Sequence, residues 1–529
     1  MNRFIYFLQN FIWIILYSNL LAQSPSKNAL QIVPEYKGGF RFGANMGYYA
    51  PYTDEQLADI AAGNPALKVA GAGITSLRPA MFGYFAEEWG YDIRIQAFKH
   101  YEKLGMSENV CFIGYPPAQY RDKTVYCGKD TSALYANMYE PIWDKGENGT
   151  PVNDKNYYAL YVYKTVKNYG QQVRFWEIWN EPDYAFNYNN MLPPDKKGSW
   201  WSQDPAPCDY SIHAPIQHYI RMLRISYEVI KSLYPKSYVA VGGIGFPSFL
   251  DGILRQTDNP DAGKTTSAYP NRGGAYFDVL SYHTYPHIDN SVREWSNAKQ
   301  GFVHFRHSDR AAAGVIRLKK EFEVVLKKHG FEGKKYPKKR FIITESNIPC
   351  KEFGEFMGTP QAQANFLVKA AIQCMKNEVD QLYVYSLGEL KEDKEARNEF
   401  DKMGLYEKLE GKTPYSSKLT PAGIAYKTAS ILLTGSVFDS VQTRKLNLPN
   451  QVDGGAFKCK DGTYLYCLWA KTNIDRSETA KWEYSFPLSL KINRLDIKEW
   501  NYTATQKSVH SKPTKIQLSS SPCFLKPIP

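Results

Sequence analysis

Two glutamates each close a short apolar run of this chain. "FWEIWNEPD" (175–183) is apolar and aromatic up to Trp179 and turns polar at Asn180-Glu181-Pro182, while "FIITESN" (341–347) runs out on Glu345. A proline donates nothing to a strand ladder and fixes its own φ, so Pro182 ends the first run and holds Glu181 extended on a stiff turn. Both acids are thus presented at strand mouths. Hydrolysing a glycosidic bond takes one carboxyl to protonate the leaving oxygen and another to attack or to activate water. Glu181 and Glu345 supply such a pair. The bland alternative is a structural salt bridge at each position, and Glu177, lower in its strand, fits a buried structural acid paired with an arginine or histidine.

Other polar residues collect at the ends of similar runs. Asn180 could bond a sugar hydroxyl, and Arg78, from "LRP", could hold a carboxylate ionised. His283 and Tyr285 share one face of "SYHTYP" (281–286) and could orient a nucleophile. Trp176, Trp179, Trp200 and Trp201 offer flat apolar faces for sugar rings. The histidines of "HFRH" (304–307) have a spacing that could bind zinc, but no strand-end carboxylate is near them in sequence. The hydrolytic chemistry needs no cofactor and no metal.

These residues need a scaffold that brings strand ends together. Eight segments share one form, a short β-rich apolar run that turns polar or aromatic: 40–49, 74–82, 109–117, 173–182, 237–247, 277–286, 340–347 and 381–389. Between them lie helical patterns such as "APIQHYIRMLRISYEVIKSLYP" and "PQAQANFLVKAAIQCMKNE". Eight such alternations predict an α/β fold, a closed (β/α)₈ TIM barrel over 38–435, whose sites form at the C-terminal strand ends. The segment 115–149 is long enough to overhang that rim. From 436 to 529 the pattern changes to short strands and turns, which predicts a small C-terminal β-sandwich. Residues 23–37 form an N-terminal segment, of which 28–36 could add a strand to the sandwich.

The chain has 529 residues, 43% of them apolar and 22% charged, which excludes extensive disorder and allows a large core plus a smaller domain. Arg3, the apolar run "FIYFLQNFIWIILYSNLLA" and the small residues around Ala22 predict a signal peptide over 1–22 and a secreted or periplasmic protein with no membrane segment after cleavage. The alternative is an uncleaved anchor. Eight cysteines are few for an exported chain of this size. Cys459 and Cys467 flank a turn at Asp461-Gly462 that sets Cys459 opposite Tyr464 and Cys467 on the other face, so no bridge is expected between them. A net charge of +12 suits an anionic polysaccharide, although the lysines are scattered. Nucleic acid binding has no supporting motif.

"WEIWNEPD" at the fourth strand, "SYHTY" at the sixth and "ITES" at the seventh together resemble clan A of the glycoside hydrolases, the retaining (β/α)₈ enzymes. The "NEPD" form and the trailing sandwich are most similar to family 39. The resemblance implies Glu181 as acid/base, Glu345 as nucleophile, Asn180 as a ligand of the sugar 2-hydroxyl, and Arg78, His283 and Tyr285 as supports. Many clan members carry a tryptophan platform at the end of strand eight, and "YVYSLGELKED" (383–393) has none. The expected activity is retaining hydrolysis of a polysaccharide or oligosaccharide by an exported enzyme. The rival is a carbohydrate-binding protein on a catalytically disabled barrel.

Overall fold

The computed structural model describes residues 32–184, 188–502 and 509–528. The signal segment at 1–22 lies outside them, as does 23–31 of the N-terminal segment. Nine parallel strands form the main sheet: β1 (Arg41–Asn45), β2 (Ser76–Arg78), β3 (Ala80–Phe82), β4 (Asn109–Gly114), β5 (Val173–Ile178), β6 (Tyr238–Val241), β7 (Val279–Thr284), then, after a short hairpin of β8 (Arg293–Ser296) and β9 (Gly301–His304), β10 (Arg340–Ser346) and β11 (Val379–Val384). Their order is β2-β1-β11-β10-β7-β6-β5-β4-β3. β2 and β3 are two halves of one stave. Pro79, which has no N–H to give, interrupts it, so that β2 pairs with β1 and β3 with β4. Eight staves therefore close a (β/α)₈ barrel.

Alternation along each strand sorts its side chains. In β5, Trp176 and Ile178 pack outward under the helices, while Phe175 joins an interior cluster with Val110, Tyr238, Val279, Ile342 and Tyr383. Glu177 follows Phe175 on the inside. The helices start where capping residues allow, as at Thr359 and Thr420, each accepting a backbone N–H and each followed by a proline in the first turn.

The N-terminal segment departs from expectation. Residues 32–39 form no strand and do not join the sandwich. Val33 and Tyr36 pack instead on the interior cluster, with Tyr36 against Phe175 at 5.7 Å and Arg340 over its ring at 5.1 Å. An apolar barrel floor left open to water is the larger unburied surface, so these side chains cover it.

The C-terminal region forms an antiparallel six-stranded sheet facing a two-stranded one, a small β-sandwich. It is fixed to the barrel through Asp309, which accepts from Trp469 Nε1 at 2.7 Å and pairs with Lys369 at 2.9 Å, and through Glu478, which accepts from Ser308 and Asn365. Cys459 and Cys467 are both free. The turn between them is wider than expected, with Cys459 closing on Thr463 and Lys458 pairing with Tyr464. A disulfide forms elsewhere, between Cys127 and Cys208, and ties the long loop after β4 to the long loop after β5.

Candidate active site

The ends of β1, β5 and β10 converge on one buried cation at the end of β2. Arg78 Nε donates to Glu177 Oε2 at 2.7 Å, Nη1 to Glu345 Oε1 at 2.7 Å and to Asn45 Oδ1 at 3.0 Å, and Nη2 to Asn180 Oδ1 at 2.6 Å. A guanidinium is suited to this, since its planar fork can serve several acceptors and it keeps its charge when buried. Glu177 is fully buried and paired as a structural acid. Its other oxygen accepts from Ser281 and Thr344. Asn180 uses its oxygen on Arg78, which leaves the amide Nδ2 as a donor.

Glu345 owes its position to a β-bulge. Thr344 points inward to Glu177, and strict alternation would turn Glu345 outward. The pairing of β10 with β7 slips between Ile343 and Glu345, which lets both consecutive side chains face the interior. Tyr285, four residues after Ser281 on the same face, donates to Glu345 Oε2 at 2.7 Å. Burial alone would raise the Glu345 pKa, but His283, Arg78 and the Tyr285 hydroxyl overcome it and hold the carboxyl below its ordinary value.

His283 touches both acids. Its Nδ1 lies 2.7 Å from Glu181 Oε1 and 3.7 Å from Glu345 Oε2. It orients Glu181 more directly than the nucleophile candidate it was expected to support. Thr344 gives its hydrogen to Glu177, so its oxygen accepts from His283 Nε2 at 3.0 Å. That leaves Nδ1 to share a proton with Glu181. Burial lowers the His283 pKa, yet the charges of Glu345 and Glu181 outweigh it and raise the value overall. Gly243 makes room for the ring, because a Cβ there would lie 2.2 Å from Nε2.

Glu181 is not extended as the following proline predicts. Its φ is 50°, in the left-handed region, and Trp179 is there too at 73°. Tertiary bonds over-determine this turn: Glu181 N donates to Gly242 O at 2.6 Å, Trp179 N to Ile113 O at 2.8 Å, and Ser211 Oγ to Glu181 O at 2.7 Å. Strain of about 1–3 kcal/mol per residue is typical of such positions and collects at functional sites.

Asp183 anchors the same turn, with Oδ2 accepting from Gly245 and Phe246 N–H while Oδ1 finds no partner among the described residues. Burial pushes its pKa up to about 7, against those two N–H groups and with help from the Glu181 charge. A carboxyl raised in the folded state favours folding below its unfolded value, near 4, and withdraws that contribution as pH climbs toward 7. The slope reaches about 1.4 kcal/mol per pH unit. Asp183→Asn keeps the acceptor and has no charge to bury, so its urea midpoint is expected to exceed that of the parent at pH 8 and to match it at pH 4.

The expected tryptophan platforms are mostly enclosed. Trp176 and Trp200 are fully buried core residues. Trp179 is 2% exposed, with one face stacked on Tyr115 at 4.1 Å, so it does not offer itself to a sugar. A large ring lowers the free energy more by filling the space under the rim than by facing water. Arg78 and His283 are likewise sealed beneath the carboxylates and meet those groups, not the open cleft. The aromatic at the end of the eighth stave is Tyr385, set edge-on to Tyr285 at 6.2 Å; burial raises its pKa, and the charges of Glu345 and Glu181 add to that. An expectation of tryptophan at that position leaves a tyrosine there unmarked in the sequence.

One ligand atom from each of Glu181, His283 and Glu345 fits within 4.8 Å of the other two, a spacing that could hold a metal ion. The surroundings do not suit one. Arg78 already places a positive charge 2.7 Å from Glu345, and both Glu345 oxygens accept hydrogen bonds. The zinc spacing of "HFRH" assembles no cluster among the described residues; His307 caps a helix instead, its side chain accepting from Arg310 N.

No protein-family model and no curated protein matches the sequence. Solved structures do. A family 39 glycoside hydrolase from the gut symbiont Bacteroides cellulosilyticus WH2 superposes with a TM-score of 0.55 at 17% identity, over 94% of this chain and 83% of that one. A conserved exported protein from Bacteroides fragilis gives 0.52 at 11% identity, over 94% and 99%. A GH30 endoxylanase from Clostridium papyrosolvens C71 gives 0.51 at 12% identity, over 94% and 98%. The chain shares the barrel-and-sandwich fold of the clan A glycoside hydrolases.

Proposed function

We propose that the protein is an exported, retaining glycoside hydrolase that cleaves a polysaccharide or its oligosaccharides by double displacement. The separation of the two acids carries this reading. Oxygens of Glu181 and Glu345 lie within 4.8 Å of each other, whereas an inverting pair needs about 6.5–9.5 Å to admit a water. Glu345, kept ionised by Arg78 and Tyr285, attacks the anomeric carbon while Glu181 gives its proton to the leaving oxygen. Glu181 then takes a proton from the water that releases the sugar. Asn180 Nδ2 meets the 2-hydroxyl, and Tyr385 lies under the reacting ring. Export agrees with the Cys127–Cys208 disulfide, since such bonds persist in oxidising compartments. A binding protein on a disabled barrel would dispense with an acid, whereas this sequence keeps both Glu181 and Glu345.

The stereochemistry tests this directly. Proton NMR of the first minutes of hydrolysis, run on any oligosaccharide or aryl glycoside the enzyme accepts, is expected to display the substrate's own anomer before mutarotation. First appearance of the opposite anomer would sink the double displacement.

A further inference from the structure

Four aromatic rings run in contact from the candidate acid/base to open solvent. Trp179, beside Asn180 and Glu181, stacks on Tyr115 at 4.1 Å and 16°. Tyr115 meets Phe82 edge-on at 4.9 Å, and Phe82 stacks on Tyr84 at 5.3 Å and 25°. The rings come from the ends of three neighbouring staves: Phe82 closes β3, Tyr115 follows β4, and Trp179 follows β5. Burial falls along the row. Trp179 is enclosed, Tyr115 and Phe82 are partly covered, and Tyr84 is 44% exposed, with the still more open Tyr48 close by.

A single exposed aromatic is ordinary, but a contiguous row that ends at convergent polar groups has the make-up of a binding surface. The inner end of this row is tied to the site, since the Tyr115 hydroxyl reaches Asn180 O at 3.5 Å and the charges of Arg78, Glu181 and Glu345 all act on Tyr115. No ring of the row carries a charge, and Arg78, the cation beside its inner end, is buried and paired with Glu177 and Glu345, so recognition along the row works through ring faces against the C–H faces of sugars and not through charge. We infer that Tyr115, Phe82 and Tyr84 form a stacking path for successive residues of a neutral glycan chain, continuing from the sugar whose bond is cut. The inference rests on the glycosidase reading for its inner end and adds a substrate class to it: a neutral chain with several residues bound on this side, not a lone terminal sugar or an acidic polymer.

The test measures binding by calorimetry to the full-length Glu345→Gln protein, with xylohexaose, cellohexaose, laminarihexaose, 1,5-arabinohexaose and hexagalacturonate, at 50 and 500 mM NaCl. At least one neutral hexamer is expected to bind equally at both salts and more tightly than its dimer. Adding Tyr84→Ala, at an exposed position that leaves the core intact, is expected to weaken it by roughly tenfold, the scale of one aromatic stacking contact. Tyr84→Phe keeps the ring and the affinity, and Trp295→Ala, on the exposed β8–β9 hairpin, changes neither. Unchanged binding by the Tyr84→Ala protein, binding of hexagalacturonate alone with loss at high salt, or no binding at all would overturn the inference. Turnover by the wild type without any effect of Tyr84→Ala rejects the path and spares the glycosidase. Tyr84-dependent binding without turnover does the reverse.

Discussion

Glu345→Gln is expected to fold as the parent does and to lose turnover by about four orders of magnitude or more, because a neutral amide cannot attack the anomeric carbon. The fold survives for a reason visible in the site. Arg78 remains paired with Glu177 at 2.7 Å, so the substitution leaves no uncompensated buried cation. The amide oxygen still accepts from Arg78, and the amide nitrogen faces the Tyr285 oxygen. Thermal unfolding and circular dichroism check the fold, and kcat on an aryl glycoside with a good leaving group checks the chemistry. Activity above about 1% of the parent, about a hundredfold more than such a deletion allows, would remove Glu345 from the nucleophile's role.

Most of the scaffold was legible because burial in a barrel writes a period-two code. Each stave is an apolar run interrupted at its C-terminal end, and the run ends at Arg78, Glu181, Tyr285 and Glu345 mark one rim. Ser281, His283 and Tyr285 follow strict alternation, so their common face could be read directly from their spacing. Glu177 was legible as a structural acid for the same reason, being two residues above Phe175 on the inner face.

What escaped the sequence reading is where tertiary contacts overrule local rules. Pro182 argues for an extended Glu181, yet the bond from its own N–H to Gly242 O and the one its carbonyl accepts from Ser211 hold it left-handed. Alternation alone would send Thr344 and Glu345 to opposite faces, and a bulge defined only by the pairing with β7 brings both inside. Trp176, Trp179 and Trp200 look like sugar platforms by residue type, but exposure is a property of packing, and the row of smaller rings from Tyr115 to Tyr84 is what opens to solvent. Cys127 and Cys208 are 81 residues apart in sequence, in two loops whose proximity only the closed barrel determines.

Glu181→Ala is expected to separate the two half-reactions. The Glu345 carboxylate and its contacts with Arg78 and Tyr285 are untouched, so an aryl glycoside whose leaving group needs no proton still forms the glycosyl-enzyme. A poor leaving group does not, and kcat/KM on natural oligosaccharides is expected to drop by about 10²–10⁴, the usual contribution of a general acid. Release of the sugar becomes slow for every substrate, because water has lost its base and the methyl side chain cannot replace it. The volume vacated between His283 and the anomeric centre admits a small anion that needs no deprotonation. Azide is therefore expected to accelerate turnover of the aryl glycoside and to give a glycosyl azide of the substrate's own configuration, since it displaces Glu345 from the face that the leaving group occupied. The corresponding Glu345→Ala protein should instead give the azide of inverted configuration, as azide then takes the place of the missing nucleophile. The two product configurations, read by NMR, assign the acids independently of rate. An inverted azide from Glu181→Ala together with a retained one from Glu345→Ala would exchange the two roles, and no azide product from either would remove both residues from the reaction.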